Sequence, residues 1–267
     1  MPATIVSADR MPSHRAKTLR LFCLPYAAGS ARVFRDWHRD LPKFVDVRPL
    51  ELPGHGRRSR QEPLDELDPV MADLLETVLR EADRPIAIVG YDYGALLGFE
   101  LARRLEHHHG IVPMRLFVAA MRAPVWPRPA NPVSEMSEDR FKELLSRPAG
   151  GGDADGAAGA DGDLLDIDAL MDFAIRVLRA DFRVADNYRY EPGSKLSCPI
   201  TAFRGRDDAG VSRQSVEAWN VCTTGPFRHH EMPGGHYFLY PARELLLRRL
   251  SAELRAGALP RAAVPAH

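Results

Sequence analysis

The sequence is poor in cysteine, balanced in charge and free of long apolar runs. Its 267 residues include only three cysteines, Cys23, Cys198 and Cys222, and their spacing is not that of metal ligands. Lys and Arg together number 36, as do Asp and Glu, so the formal net charge is zero. This balance argues against a nucleic-acid partner and against a polybasic membrane anchor. No apolar run approaches the roughly 20 residues that span a bilayer.

The first 17 residues are mixed and polar and lack the apolar centre of a signal peptide. With so few cysteines, we expect a cytoplasmic protein in a reducing compartment, without a membrane segment. The sequence offers no signature of a cofactor or of a metal site, and we expect neither. We also expect a monomer.

Short apolar runs alternate with helical patterns along most of the chain. Six runs have the length and composition of buried strands, at residues 19–24, 45–50, 86–89, 116–120, 200–203 and 227–232. Apolar residues recur at helical spacing over 69–80 and 95–106. This alternation predicts an α/β fold, with a mostly parallel central sheet flanked by helices on both faces. The composition, 45% hydrophobic and 27% charged, suits one globular domain over residues 1–267.

The block between residues 122 and 190 interrupts this alternation. Helical patterns over 137–145 and 167–188 have no strand between them, and the intervening 150–162 consists of Gly, Ala and Asp. Such a segment cannot bury apolar surface. We interpret residues 122–190 as a helical lid inserted in the domain, and a helical decoration without gating is the alternative. The end of the chain, from residue 257, is expected to fray.

One turn carries the strongest chemical signal. Residues 90–94 read Gly-Tyr-Asp-Tyr-Gly between a predicted strand and a predicted helix, which is the context of the G-x-S-x-G nucleophile elbow of α/β-hydrolases. The flanking glycines permit a turn so tight that it strains the central residue. Asp92 stands where such an enzyme would carry its nucleophilic serine. The pattern therefore predicts an α/β-hydrolase whose chemistry departs from ordinary acyl transfer.

Three further segments follow predicted strands in the order that an α/β-hydrolase requires. A loop of small residues at 25–30 follows the first strand and can direct a backbone N–H into a site. Asp207 and Asp208 lie just beyond the fifth strand, and His236 follows two glycines after the last. Nucleophile, acid and histidine is the chain order of this fold. Asp208 is the favoured acid and Asp207 its competitor, while His55 in Pro-Gly-His-Gly is interpreted as shaping a loop.

Taken together, these segments resemble a type II thioesterase, the stand-alone editing enzyme of polyketide and nonribosomal peptide assembly lines. The matching segments are 21–31, 52–57, 90–94, 178–190, 205–208, Trp219 and 234–238. The resemblance implies an α/β-hydrolase core with a helical lid. It implies a substrate on the phosphopantetheine arm of an acyl or peptidyl carrier protein. It also implies that Asp208 and His236 belong to a catalytic triad, with the amides of Ala27 and Tyr93 as the oxyanion hole.

Asp92 departs from this family, because it stands in place of serine. A carboxylate that attacks a thioester would form a mixed anhydride, and the tetrahedral intermediate would return to reactants because a carboxylate leaves more readily than a thiolate. Three interpretations remain open. Asp92 and His236 act as general bases, toward water or in a cyclisation or elimination. Alternatively, Asp92 attacks an sp³ carbon, as in epoxide or alkyl halide hydrolysis, or the protein binds a carrier without catalysis.

Overall fold

Six strands form one sheet in the computed structural model, which describes residues 18–127, 132–141, 167–191, 193 and 195–258. The strands are β1 (Leu19–Leu24), β2 (Val45–Pro49), β3 (Ile86–Tyr91), β4 (Leu116–Ala119), β5 (Ile200–Gly205) and β6 (Phe227–Met232). They pair in the order β2-β1-β3-β4-β5-β6, and every pair is parallel. The predicted strands are confirmed. Because the strands are parallel, the loops that follow them gather at one edge of the sheet.

Helices connect and cover the strands. They are α1 (Trp37–Asp40), α2 (Leu67–Glu81), α3 (Tyr93–His109), α4 (Ile167–Asn187), α5 (Arg213–Glu217) and α6 (Arg243–Ala258). Short 3₁₀-helices occur at Ala31–Phe34, Gly56–Arg58, Val133–Glu135 and Ala218–Cys222. α2 and α3 confirm two predicted helices. α6 has no counterpart among the predictions, and it continues through Gly257, where fraying was expected to begin. No helix in the described part of the chain combines the length and the apolar character needed to cross a bilayer.

The side chains of β1 alternate between two cores, one on each face of the sheet. Phe22 and Leu24 pack with α2 and α3, whereas Leu21 and Cys23 pack with α1 and α6. All six residues of β1 and all six of β3 are buried. A strand covered on both faces requires a continuous apolar run, and this two-sided packing explains the pattern in the sequence.

The predicted lid lies partly within the described residues. Residues 138–141 are helical, and α4 matches the second predicted lid helix; residues 142–166, with the Gly- and Asp-rich stretch, lie outside the described part. A small apolar cluster around Phe141 and α4 contacts Ala27 on the loop after β1. The described part of the lid region therefore packs against the edge of the sheet that carries the chemical segments. Gating by this region stays a prediction.

Two neighbouring histidines on β6 are expected to make the stability depend on pH. His229 and His230 are partly buried, and the Nε2 atom of each has no hydrogen-bond partner among the described residues. Burial lowers the pKa of both imidazoles below the usual 6.5, despite the nearby carboxylates of Glu217 and Glu253. At these two positions the unfolded chain binds more protons, so the stabilisation that His229 and His230 contribute falls as the pH drops below about 6.5.

Replacing both histidines by glutamine should flatten this part of the pH profile, because glutamine takes up no proton. Urea unfolding between about pH 5.5 and pH 7.5 measures the effect. His108→Gln, at an exposed position near the end of α3, is the matched control and should keep the wild-type profile. Equal slopes for the wild-type protein and the double variant would contradict the assignment.

Candidate active site

Asp92 occupies a strained turn between β3 and α3. Its backbone has φ 52° and ψ −122°, and residues with a Cβ rarely adopt a positive φ. A Cβ on Gly90 would lie 2.1 Å from the carbonyl oxygen of Gly94, and a Cβ on Gly94 would lie 2.3 Å from the carbonyl oxygen of Leu24. The turn therefore needs both glycines. It presents the side chain of Asp92 at the edge of the sheet where the other predicted site residues lie.

Asp208 and His236 meet on the loops that follow β5 and β6. The Nδ1–H of His236 donates to Oδ2 of Asp208 over 2.8 Å. The other oxygen of Asp208 accepts from the amides of Gly210 and Val211 at 2.8 and 3.1 Å. Asp208 is 5% exposed, whereas Asp207 is exposed to solvent. The structure thus brings the favoured acid, and not its competitor, to the histidine.

The hydrogen bonds to Asp208 outweigh the cost of burying its charge. Burial raises the pKa of the Asp208 carboxyl, but His236 and two backbone amides lower it, and the net pKa is below its usual value. Burial lowers the pKa of His236, while Asp208 and Asp92 raise it, and the net pKa is above its usual value. Asp208 therefore stays ionised and stabilises a protonated His236.

The other ring nitrogen of His236 faces Asp92. Nε2 lies 3.7 Å from Oδ1 of Asp92, which is beyond direct hydrogen-bond distance. Because the ionised Asp208 can only accept, Nδ1 carries the proton of the neutral ring, and Nε2 is left as an acceptor on the side of Asp92. Tyr91 fixes the loop behind the ring, since its hydroxyl donates to the carbonyl oxygen of His236. The result is a histidine held between two carboxylates.

Two backbone amides face the carboxylate of Asp92. The N–H groups of Tyr93, the first residue of α3, and of Ala27, on the loop after β1, both lower its pKa. Burial acts more strongly in the opposite direction, and the pKa of Asp92 is raised overall, although 25% of the side chain is exposed. The two amides predicted as oxyanion donors therefore act on the side chain of Asp92.

A cavity of about 150 Å³ opens beside Asp92. Its apolar lining residues include Leu96, Met121, Pro124, Trp126, Val133 and Phe182. Arg122 and Asp186 are the charged residues of the lining besides Asp92. A mainly apolar cavity lined by the carboxylate of Asp92 suits a small, largely apolar group whose reacting atom lies near Asp92.

The sequence pattern does not single out a buried pair behind this site, His55 and Asp181. Nε2 of His55 lies 2.9 Å from Oδ2 of Asp181, and the same oxygen accepts from the amide of Ala28 at 2.7 Å. His55 does shape a loop, as its context predicts, but it does so through a carboxylate 126 residues away. The only signal in the sequence is that both residues fall in segments that carry the family resemblance.

The described residues hold no group of three or more His, Cys, Asp or Glu side chains arranged to bind a metal ion. Cys23, Cys198 and Cys222 are all buried and free. Burial raises the pKa of each of the three thiols. They therefore act as small packing residues and contribute no nucleophile to the site.

Comparison with known proteins decides the family. A family model of the thioesterase domain matches residues 19–254. This chain is a member of the thioesterase family. The thioesterases of this family are hydrolases with the α/β-hydrolase fold, and the resemblance inferred from the motifs and the predicted fold class are both confirmed.

Relatives of this thioesterase cover almost the whole chain. The gramicidin S biosynthesis protein GrsT from Aneurinibacillus migulanus is 33% identical over 246 residues, which are 92% of this chain and 93% of that protein. The structure of the type II thioesterase BorB from the borrelidin biosynthetic cluster is 33% identical, with a TM-score of 0.76 over 92% of this chain and 96% of that one. RedJ, a thioesterase from the prodiginine pathway in Streptomyces coelicolor, is 36% identical, with a TM-score of 0.75 over 95% and 96%.

Gly94→Ala is expected to destabilise the thioesterase by about 3 kcal/mol or more. Its Cβ would lie 2.3 Å from a backbone carbonyl oxygen, and backbone cannot yield as a flexible side chain can. Gly110→Ala is the matched control, because Gly110 has φ 65° but a Cβ added there would meet nothing within 4 Å. Only the strain of its backbone applies there, about 1–2 kcal/mol. Urea unfolding measures both losses, and similar values would show that the turn tolerates a side chain at Gly94.

Proposed function

We propose that this thioesterase hydrolyses acyl thioesters carried on the phosphopantetheine arm of an acyl or peptidyl carrier protein in secondary metabolism, with water rather than Asp92 as the acyl acceptor. The observation that carries the proposal is the position of His236, 2.8 Å from Asp208 and 3.7 Å from Asp92, the residue that lines the cavity. The names of two relatives support the metabolic setting, since they place those proteins in gramicidin S and borrelidin biosynthesis.

The raised pKa of Asp92 makes its carboxylate a stronger base than an exposed aspartate, but not a better acyl acceptor. An acyl group transferred to it would form a mixed anhydride. The carboxylate leaves the tetrahedral intermediate far more readily than a thiolate whose conjugate acid has a pKa near 8.5. Direct attack by water avoids this reversal, because the tetrahedral intermediate expels the thiolate more readily than hydroxide. The acid product then ionises, which makes the reaction harder to reverse.

We place one water molecule beside the pair, in contact with both His236 and Asp92. A molecule about 2.8 Å from both Nε2 and Oδ1 bridges their 3.7 Å separation. In the proposed reaction, His236 takes a proton from this water as its oxygen bonds to the thioester carbon, and Asp208 stabilises the imidazolium. The C–S bond then breaks, and His236 returns the proton to the departing thiolate. General-base assistance of this kind contributes about 10²–10⁴-fold.

The amides around Asp92 favour a second reaction of the same site. In thioester hydrolysis the developing oxyanion needs the N–H groups of Ala27 and Tyr93, which act on the carboxylate of Asp92, so Asp92 has to release them. Attack of Asp92 on an sp³ carbon, such as an epoxide carbon, instead breaks the carbon–oxygen bond of the ring. The resulting alkoxide takes a proton from solvent, and the carbonyl oxygen of the new ester stays against these amides. Water activated by His236 then hydrolyses the ester and restores Asp92.

Variants at position 92 test the role of the carboxylate. Asp92→Asn should lower kcat/KM for a short acyl-pantetheine thioester by about 10²-fold, since it removes the group that orients the water. Asp92→Ser should open an acyl-enzyme route, seen by intact-mass spectrometry as an acylated protein that the wild type does not form. Asp207→Asn, exposed next to the triad acid, is the matched control and should keep the wild-type rate.

The outcomes of these assays separate the alternatives. An Asp92→Asn protein as active as the wild type would remove the carboxylate from the mechanism. A wild-type protein without turnover, together with an active Asp92→Ser variant, would mean that thioester hydrolysis is not its reaction. That result would leave attack on an sp³ carbon, or carrier binding without catalysis.

A single turnover in ¹⁸O-labelled water distinguishes the two reactions of Asp92. If water attacks the thioester directly, the label enters the acid product and the peptide that contains Asp92 stays light. If Asp92 forms an alkyl ester that water then hydrolyses, the label enters the carboxylate of Asp92. Mass spectrometry of the digested protein reads the difference, with the peptide containing Asp208 as the internal control.

A further inference from the structure

A second histidine–aspartate pair lies behind the loop that carries Ala27. His55 is 5% exposed and Asp181 is 1% exposed, and Nε2 of His55 lies 2.9 Å from Oδ2 of Asp181. Nδ1 of His55 lies 2.9 Å from the carbonyl oxygen of Pro53. Both ring nitrogens thus face oxygen atoms that act as acceptors, so the ring carries two protons and a positive charge.

The need to hold the loop after β2 against α4 does not by itself explain why His55 and Asp181 form a buried ion pair. His55 lies on the loop after β2 and Asp181 lies on α4, so the pair joins two distant parts of the chain. Apolar side chains of similar volume would hold these elements together at least as well, because burying two charges costs more than it usually returns. We therefore expect the charges of His55 and Asp181 to fix the position of a polar group nearby.

That polar group is the amide of Ala28. Oδ2 of Asp181 accepts from this amide at 2.7 Å, and Ala28 has φ 57°, a strained conformation that needs support from its surroundings. Ala28 directly follows Ala27, whose own amide faces the carboxylate of Asp92. Asp181 fixes the peptide group between Ala27 and Ala28. This limits the rotation of the preceding peptide group, which carries the N–H of Ala27.

The charge of Asp181 also acts on Tyr93, the residue that supplies the second predicted oxyanion donor. Tyr93 is buried, and its hydroxyl has no hydrogen-bond partner among the described residues. Burial raises the pKa of this phenol, and the charge of Asp181 raises it further. The charge of Asp181 therefore acts on Tyr93, and its carboxylate also accepts from the amide of Ala28, the residue that follows Ala27.

We propose that Asp181, paired with His55, is a positioning residue that sets the oxyanion hole by holding the loop at Ala27 and Ala28. Asp181 acts through the backbone and needs no contact with the substrate. The inference rests on the proposed function only in taking the amides of Ala27 and Tyr93 as oxyanion donors. It applies equally to a thioester and to an ester formed on Asp92.

Phosphonylation in an Asp92→Ser background measures the oxyanion hole without thioester turnover. The serine oxygen bonds to the phosphorus of an alkyl fluorophosphonate, fluoride leaves, and His236 takes the hydroxyl proton. Asp181→Ala in this background should slow labelling about tenfold or more, because the support of one donor is lost. Asp181→Asn keeps an oxygen acceptor but loses the assistance of charge, and should slow labelling about threefold. Intact-mass spectrometry gives the rate constants.

Asp172→Ala is the matched control, since it removes an exposed carboxylate from the same helix, and it should label at the rate of the Asp92→Ser parent. A purely structural role would lower the melting temperature of Asp181→Ala but leave the labelling rate of the folded protein unchanged. Labelling at the parent rate in folded Asp181→Ala, or in Asp181→Asn if the alanine variant does not fold, overturns the inference. A parent that is not labelled at all also overturns it.

The inference and the proposed function fail separately in this design. Slower labelling of the Asp181 variants, in a protein whose wild type never hydrolyses a thioester, supports the positioning role and refutes the proposed reaction. Thioester hydrolysis by the wild type, together with labelling that Asp181→Ala does not slow, supports the proposed reaction and refutes the positioning role.

Discussion

The close approach of β3, α3 and the loop after β1 leaves no room for a side chain at Gly90 or Gly94, and it forces the residue between them to a positive φ. Whatever occupies position 92 is therefore presented beside His236 and against the amides of Ala27 and Tyr93. The close backbone contacts at Gly90 and Gly94 impose this turn whatever side chain residue 92 carries. The fold thus sets the position of the side chain at residue 92, while the chemistry of that side chain depends on the amino acid alone.

The two carboxylates on either side of His236 differ because their surroundings differ. Asp208 accepts hydrogen bonds from His236 and from two amides, which hold its pKa below the usual value. Asp92 is compensated less fully, and burial raises its pKa. Environments that separate two carboxyl groups in this way commonly separate their roles. Asp208 is suited to a fixed anion that orients the histidine, and Asp92 to the group that meets water or substrate.

Much of the fold and part of the site could be predicted because they depend on local pattern. Continuous apolar runs mark strands that are buried on both faces, and the glycines at 90 and 94 mark a turn with no space for Cβ atoms. The sequence favours Asp208 over Asp207, but the geometry that separates the two depends on how the loop after β5 turns toward His236. The pairing of His55 with Asp181 could not be predicted for a similar reason. It joins the loop after β2 to α4, and only tertiary packing brings these segments together.

The helix α4, which lies in the predicted lid, contributes residues to the surroundings of Asp92. Asp181 and Phe182 are consecutive on α4, and the first holds Ala28 while the second lines the cavity beside Asp92. Consecutive residues of a helix keep a fixed relative position. Phe182 in the wall of the cavity and Asp181 at the amide of Ala28 are therefore expected to move together. A displacement of α4 that widened the cavity would also shift the acceptor of the Ala28 amide. The shape of the cavity and the position of the loop at Ala27 and Ala28 thus both depend on the same turn of α4.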